Sequence, residues 1–146
     1  MKRSIALIPL TLLAIALPVT AFESADLDRL RVAGACIGCD LSTLRLTDTY
    51  LFGADLSYTN LTGTNLAGAN LSGAYLERAV LKDTVLTNAN LENADLTNAV
   101  LTNTKLEGAN LTGAVLTGVN LSEADLTGAR LCETTMPDGT VNGLHC

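Results

Sequence analysis

Large aromatic side chains are scarce in this chain of 146 residues, which has no Trp and only 3% Phe and Tyr. The apolar residues make up 48% of the chain, and their weight lies in Leu, Ala and Val. Side chains that are small and alike cannot interlock in the way that large, differently shaped ones do. The composition therefore favours a core that is built by repetition.

Positive charge is also scarce, with 9 Lys and Arg against 15 Asp and Glu and a formal net charge of −6. Neutralising nucleic-acid phosphates needs an excess of Lys and Arg, so we expect no nucleic-acid partner. His145 is the single histidine and has no metal-ligand or triad partner at a suitable spacing. Phosphate loops, metal motifs and nucleophile elbows are missing from the sequence as well. We therefore expect no catalytic residue, no metal site and no cofactor.

The N-terminal segment 1–21 is typical of a secretory signal peptide. It begins with Lys2 and Arg3, continues with an apolar stretch over 5–17, and ends in small residues over 19–21. The apolar stretch is short for a membrane span, although a transmembrane anchor is the alternative interpretation. We expect export, removal of this segment and no membrane contact afterwards. An exported protein with four cysteines is expected to form two disulfides.

The rest of the chain is a five-residue repeat. Leu occupies every fifth position from Leu41 to Leu131 without interruption, which makes nineteen repeats. Ala or Thr usually stands two residues before each Leu, and Asn or Asp often stands between them. Ser or Thr and then Gly or Asn commonly follow the Leu, so the consensus is Ala-Asn-Leu-Thr-Gly.

Neither a straight helix nor a straight strand can place these leucines together. Five residues advance an α-helix by roughly 140°, and five residues of a strand put successive leucines on opposite faces. A short strand followed by a bend solves the problem. Ala69 and Leu71 then point inward, Asn70 points outward, and Ser72-Gly73 turns the chain before the next inward pair. The sequence therefore predicts an all-β solenoid that coils around columns of leucine.

These residues resemble the pentapeptide-repeat family, whose motif is Ala-Asp/Asn-Leu followed by any two residues, and the resemblance covers 40–133. It implies a right-handed quadrilateral β-helix with four repeats per coil, hence about five coils here. Residues twenty apart would then lie above one another. One inner ladder of the structural core would contain Leu51, Leu71, Leu91, Leu111 and Leu131.

Both ends of such a solenoid need a cover, because its terminal coils have unpaired edges. Segment 22–35 carries Leu27, Leu30 and Ala33 at helical spacing and is predicted to be an N-terminal capping helix. The solenoid would span 36–133. Segment 134–146 contains a Pro-Asp-Gly turn signal and is predicted to form a capping hairpin or loop over the last coil.

Four cysteines allow three disulfide pairings. A rod would hold the first two cysteines much further from the last two than the roughly 7 Å that a disulfide bridges. The solenoid therefore permits only Cys36–Cys39 with Cys132–Cys146. The sequence around both pairs is similar to exported cyanobacterial and chloroplast-lumen members of the family. This similarity suggests a periplasmic or thylakoid-lumen location.

The outward-facing aromatic residues offer one candidate surface. Tyr50, Phe52, Tyr58 and Tyr75 gather on the N-terminal half of the predicted rod, either covered by the helix or exposed as a partner-binding patch. The leading hypothesis is a non-catalytic exported scaffold or protein-interaction module. It is expected to be a monomer because its ends look closed, and its partner is a protein that the sequence does not identify.

Two other functions come from different classes. Some acidic pentapeptide-repeat proteins occupy the DNA site of gyrase by mimicking DNA, but a signal peptide would separate this chain from gyrase. A thiol-redox protein acting through Cys36 and Cys39 is the other alternative. The sequence lacks the βαβ setting that such a site requires, so a structural disulfide is favoured.

Overall fold

The computed structural model describes residues 21–143 and residue 146. Its regular elements are helix α1, Ala21–Ala33, and two short strands, β1, Thr134–Thr135, and β2, Val141–Asn142. The predicted signal peptide, apart from its last residue, and His145 lie outside the described residues. Among the described residues, no helix has both the length and the apolar character that crossing a bilayer requires.

Between the helix and the strands the chain coils with a period of twenty residues. Parallel bridges join the outward residues to those twenty positions later, beginning with Ala35 to Asp55 and ending with Val115 to Thr135, with one gap between Val100 and Asn120. Because one repeat has five residues, four repeats complete one turn of the coil. Backbone hydrogen bonds run on both sides of each bridge. The Asn70 N–H donates to the Thr49 carbonyl at 2.9 Å, and the Asn70 carbonyl accepts from the Leu51 N–H at 2.8 Å.

The leucines of the repeat form the core. Leu71, Leu91 and Leu111 are completely buried, and Leu51 is buried in the first coil. Each fully buried Leu stabilises the fold by about 2 kcal/mol relative to exposure. Leu131 packs against this core but is only partly buried. It lies in the last coil, against which no further coil stacks among the described residues.

The backbone conformation at the corners explains why Gly and Asn are frequent in the second position after each Leu. This position has a positive φ in every repeat except that of Glu123, for example +65° at Gly73 and +57° at Asn93. Gly adopts this conformation without steric cost, and Asn tolerates it better than most residues. In several columns an Asn side chain of one coil occupies the space above a Gly of the next. A Cβ added at Gly113 would collide with Oδ1 of Asn93.

Threonine replaces Ala at some inward positions and makes a specific hydrogen bond there. Thr64, Thr84 and Thr104 are completely buried. The hydroxyl of each donates to the carbonyl of a Leu in the preceding coil, as Thr84 does to Leu61 at 2.7 Å. Among the described residues, no buried side-chain nitrogen or oxygen lacks a hydrogen-bond partner. The polar Thr side chains are therefore accommodated inside the coil, as buried polar groups must be.

Helix α1 packs against the first coil with part of the predicted face. Leu30 is buried and Leu27 is partly buried, but Ala33 is exposed. Asp26, which precedes Leu27 in the chain, is an acidic residue that is buried against the coil. Its Oδ2 accepts a hydrogen bond from the Asp40 N–H at 3.1 Å, and Arg29 lies 3.4 Å from its Oδ1. The helix thus satisfies a backbone donor at the edge of the coil.

The C-terminal segment forms a hairpin that lies beside one face of the last coil. Strands β1 and β2 pair antiparallel, with Thr135 opposite Val141, and Thr135 also forms a parallel bridge with Val115. The connecting turn is closed by the Met136 N–H, which donates to the Thr140 carbonyl at 2.7 Å. The side chains of the last coil that stay partly exposed are Leu121, Ala124, Leu126, Ala129 and Leu131. The predicted covering of the last coil is therefore seen along one face only.

Candidate functional site: a groove at the N-terminal end

The two cysteine pairs lie at opposite ends of the coil. The Sγ atoms are 2.01 Å apart in Cys36–Cys39 and 2.07 Å apart in Cys132–Cys146. Cys36 and Cys39 are both buried, and Asp26 of the helix lies against them. Thiol–disulfide exchange needs access to a sulfur atom, so this burial favours a structural role over redox chemistry.

In the described part of the chain, potential metal-ligand atoms come close together at Asp26, Cys36 and Cys39. Both sulfur atoms are committed to the disulfide, and a metal ligand must be a thiolate. The Asp26 carboxylate is also engaged by Asp40 and Arg29. This cluster is therefore explained by the attachment of the helix to the coil.

Tyr50 and Phe52 are the most exposed aromatic side chains of the coil. Their exposed fractions are 76% and 61%, and their ring centroids lie 6.1 Å apart with the planes inclined by 20°. They stand on either side of Leu51, at one outward position and the following corner. The helix does not cover them. Exposed aromatic rings held in fixed positions are typical of surfaces that bind proteins.

These two rings border a groove between helix α1 and the first coil, which we call the N-terminal groove. It has a volume of about 510 Å³. Its apolar surface comes from Leu27, Leu30, Leu46, Leu51 and Ala54. Gly34, Thr49 and the two cations Arg31 and Arg45 complete the lining together with Tyr50 and Phe52.

The other two predicted aromatics lie outside this groove. Tyr58 is paired with Arg78 of the next coil, whose Nη1 donates to the Tyr58 hydroxyl at 3.2 Å and whose guanidinium lies 5.7 Å from the ring centroid. Tyr75 is exposed, and among the described residues no ring contact joins it to the other three. The four aromatics therefore form one close pair, in the groove, and two separate positions.

Sequence reasoning missed the cations of the groove and the acid that positions the helix. Arg31 and Arg45 are 14 positions apart, and no periodic pattern indicates that they approach the same groove. Asp26 is one of several charged residues in the predicted helix, and nothing in the sequence marks it as buried. Asp40, whose backbone N–H donates to Asp26, also has a carboxylate that accepts hydrogen bonds. These bonds come from the Ser42 hydroxyl and backbone N–H, and they lower the pKa of the Asp40 carboxyl. A carboxylate that accepts such bonds stays ionised and keeps this edge of the coil ordered.

Comparison with known proteins identifies the family. The model of the pentapeptide repeats, in 8 copies, matches residues 35–68, 64–103 and 94–131. These ranges cover most of the chain, and the chain belongs to the pentapeptide-repeat family. No curated protein gave a significant sequence match.

Solved structures of the family resemble the coil described above. A pentapeptide repeat protein from the thylakoid lumen of Arabidopsis thaliana is 31% identical, with a TM-score of 0.66, over 72% of this chain and 70% of that one. HetL, a protein involved in heterocyst differentiation regulation from the cyanobacterium Nostoc, is 36% identical with a TM-score of 0.49. That match covers 74% of this chain and 55% of HetL. QnrB1, a plasmid-mediated fluoroquinolone resistance protein, is 18% identical with a TM-score of 0.45 over 72% of this chain and 58% of that one.

Membership of this family implies that the coil is a right-handed β-helix. Proteins of the family are generally structural or interaction proteins. The N-terminal groove is therefore the feature from which a function can be argued.

Proposed function

We propose that this chain is an exported, non-catalytic protein-interaction module whose partner docks in the N-terminal groove. The observation that carries the proposal is the pair of exposed rings, Tyr50 and Phe52, at the mouth of an apolar groove. Aromatic side chains are otherwise scarce in this chain, and rigid aromatic anchors beside an apolar pocket are typical of binding hot spots.

The proposal treats the rest of the molecule as support for this site. A right-handed, four-sided rod of about five coils holds the groove rigidly at one end. Helix α1 forms one wall and acts as the N-terminal cap, and the two disulfides fasten the ends. Such a rod is a monomer in this proposal, and it exposes the groove to a different protein.

An exported location is supported by two observations. The segment 1–21 has the layout of a signal peptide, and a relative 31% identical comes from the thylakoid lumen. We propose the periplasm or the thylakoid lumen as the compartment. The exported location is tested separately by fractionation of the source cells. N-terminal sequencing of the recovered protein shows whether the leader has been cleaved.

The binding role is tested by co-purification of the tagged protein from the exported compartment. The double variant Tyr50→Ser/Phe52→Ser removes both rings from the groove, and we expect it to lose at least about 90% of the partner that the unaltered chain retains. Both side chains are exposed, so the variant should keep the far-UV circular dichroism spectrum of the unaltered protein.

The matched control is the double variant Tyr58→Ser/Tyr75→Ser, which removes two exposed aromatics outside the groove. It should retain the partner. If both double variants lost the partner equally, exposed aromatic side chains would contribute to binding whether or not they lie in the groove. Full retention by Tyr50→Ser/Phe52→Ser would exclude the groove as the binding site.

A further inference from the structure

The first coil has an edge that helix α1 covers only in part. In the later coils the outward residues, with the exception of Asn120, donate their N–H to the coil before, as Asn60 does to Cys39 and Asn65 to Leu44, both at 2.9 Å. Among the described residues, no coil precedes the first one. At Asp40 the helix supplies the missing acceptor, since Asp26 Oδ2 receives the Asp40 N–H at 3.1 Å.

The next two outward positions of this edge have no such partner. Within residues 21–143 and 146, no hydrogen bond is made by the backbone N–H or the backbone carbonyl of Arg45 or of Tyr50. The two residues are five positions apart and occupy neighbouring sides of the coil. An unpaired edge of this kind is a template for the backbone of another extended chain.

The apolar surface beneath this edge is also incompletely covered. Leu46 and Leu51 keep exposed fractions of 7% and 9%, whereas Leu66 and Leu71, in equivalent positions one coil later, keep none. Both leucines line the N-terminal groove, opposite Leu27 of the helix. An added strand would therefore find apolar contacts for the side chains that it points inward.

The charge of the groove is opposite to that of the chain. Arg31 and Arg45 line it, and none of the described side chains that line it is acidic, although the chain as a whole carries a net charge of −6. Both arginines are exposed, and neither forms an ion pair with another described residue. Asp55 follows the lining residue Ala54 in the chain, but its carboxylate accepts bonds from Ser57. The groove is thus complementary to an anionic ligand.

We propose that the partner of the N-terminal groove is an extended, acidic segment of another protein, which adds to the open edge as a short β-strand. Its backbone bends once to follow the corner between Arg45 and Tyr50, and it pairs with the N–H and carbonyl groups of both residues. Its apolar side chains lie against Leu46 and Leu51, and its carboxylates face Arg31 and Arg45. The inference rests on the proposed function and specifies the chemistry of the partner.

The test uses synthetic peptides as probes. A fluorescein-labelled peptide of about eight residues, alternating Val and Glu, presents apolar and acidic side chains on opposite faces of a strand. Its binding to the purified protein is followed by fluorescence anisotropy. Two matched peptides serve as controls, one with Lys in place of Glu and one with N-methylated backbone nitrogens on the side that would pair.

We expect saturable binding of the Val-Glu peptide and a Kd raised at least about tenfold for each control peptide. Binding should also weaken with added salt, because part of it is electrostatic and the arginines are exposed. Equal binding of the Val-Lys peptide would contradict the charge assignment. Equal binding of the N-methylated peptide would contradict strand addition.

Protein variants locate the site on the molecule. Arg31→Ala/Arg45→Ala should weaken binding of the Val-Glu peptide at least about tenfold, while Arg130→Ala, an exposed cation at the opposite end, should leave it unchanged. Tyr50→Pro removes the N–H that has no partner in the described coil, and Tyr50→Ala removes the ring but keeps that N–H. Weaker binding by Tyr50→Pro than by Tyr50→Ala is the expected result, with unchanged circular dichroism as the control for folding.

The other occupant to be tested is the chain's own N-terminal segment, which the proposed function has cleaved on export. If the purified protein retained residues 1–20 and they filled the groove, the amides of Arg45 and Tyr50 would be protected from hydrogen exchange without peptide, and the proposal would be overturned. Failure of this inference is also distinguishable from failure of the proposed function. The peptides could fail to bind while retention of the natural partner still depends on Tyr50 and Phe52. That result would contradict strand addition and the acidic character of the partner, but the groove would stay the binding site.

Discussion

At the residue scale, the repeat assigns a distinct task to each of its five positions. The Leu is buried, the small residue two places earlier fills the space beside it, and the residue between them faces outward and bridges to the next coil. The last of the five, at the corner, has a positive φ, which is why Gly and Asn recur there. Two corner glycines with the same backbone conformation differ in their neighbours, and this difference can be measured.

Gly113→Ala is expected to destabilise the protein more than Gly73→Ala does. Both positions have similar φ, +68° and +65°, so both substitutions carry the left-handed strain of about 1–2 kcal/mol. An added Cβ meets nothing within 4 Å at Gly73 but collides with the Asn93 side chain at Gly113. Because the Asn93 Oδ1 is the end of a flexible, exposed side chain that can turn aside, urea unfolding should show only a small additional loss of stability, below about 1 kcal/mol, for Gly113→Ala alone.

A double-variant cycle isolates this contact. Combining Asn93→Ala with Gly113→Ala removes the side chain that the new Cβ meets, so the additional loss should disappear. Gly73→Ala and Gly113→Ala could lower the free energy of unfolding equally, or the two changes of the cycle could be additive. Either result would show that the Asn93 side chain moves aside without cost.

At the element scale, the helix and the hairpin treat the two ends of the coil differently. Helix α1 covers the first coil through Leu30 and through the carboxylate of Asp26. The hairpin of β1 and β2 extends one face and leaves the leucines of the last coil partly exposed. The attachment of α1 therefore depends on a few identifiable contacts.

Asp26→Ala is expected to loosen α1 without unfolding the coil. The substitution leaves the Asp40 N–H at the coil edge without its acceptor, which costs about 1–3 kcal/mol for a buried group. Hydrogen exchange should become faster at the Asp40 amide and in the helix, while the central coils stay protected.

Asp28→Ala is the matched control, because Asp28 is an exposed acid on the same helix. It should leave hydrogen exchange at Asp40 unchanged. If the helix amides exchanged equally fast in both variants, Asp26 would not hold the helix to the coil. The attachment would then depend on Leu27 and Leu30.

At the scale of the whole molecule, stability comes from stacking identical coils. Each coil contacts only its neighbours, so damage in the middle interrupts the core while damage at an end shortens it. Leu91 is completely buried and Leu126 is partly buried in the last coil. The same substitution at these two positions separates the two cases.

Leu91→Asp is expected to unfold the middle of the rod, because a carboxylate would be placed among apolar side chains without a partner. Far-UV circular dichroism and limited proteolysis should show the loss of the central coils. Leu126→Asp should leave the spectrum close to that of the unaltered protein and expose only the C-terminal end. A soluble Leu91→Asp variant with an unchanged spectrum would contradict a continuous leucine core.

Much of the fold could be predicted from the sequence because the repeat is strict. Leu71 and Asn70 predict an inward and an outward position without any long-range information, and Gly73 marks the corner. In helix α1, Leu27 and Leu30 pack against the coil, but Ala33, which fits the same helical spacing, is exposed. Leu131 occupies the same position of the repeat as Leu111, and it is more exposed because no described coil stacks on the last one.

The candidate site was predicted in part. Tyr50 and Phe52 are outward in the pattern, and the structure brings their rings together. Arg31 and Arg45 join them only because the helix folds back over the first coil, a contact between segments that no repeat encodes.

The sequence by itself determined the period, the inward leucines and the corner conformation, because these depend on interactions that recur every five or twenty residues. Only the tertiary structure decided where the helix lies, which acid it buries and which part of the first edge it leaves open. Those features depend on one packing contact between unlike segments, and a contact that occurs once leaves no periodic trace in the sequence.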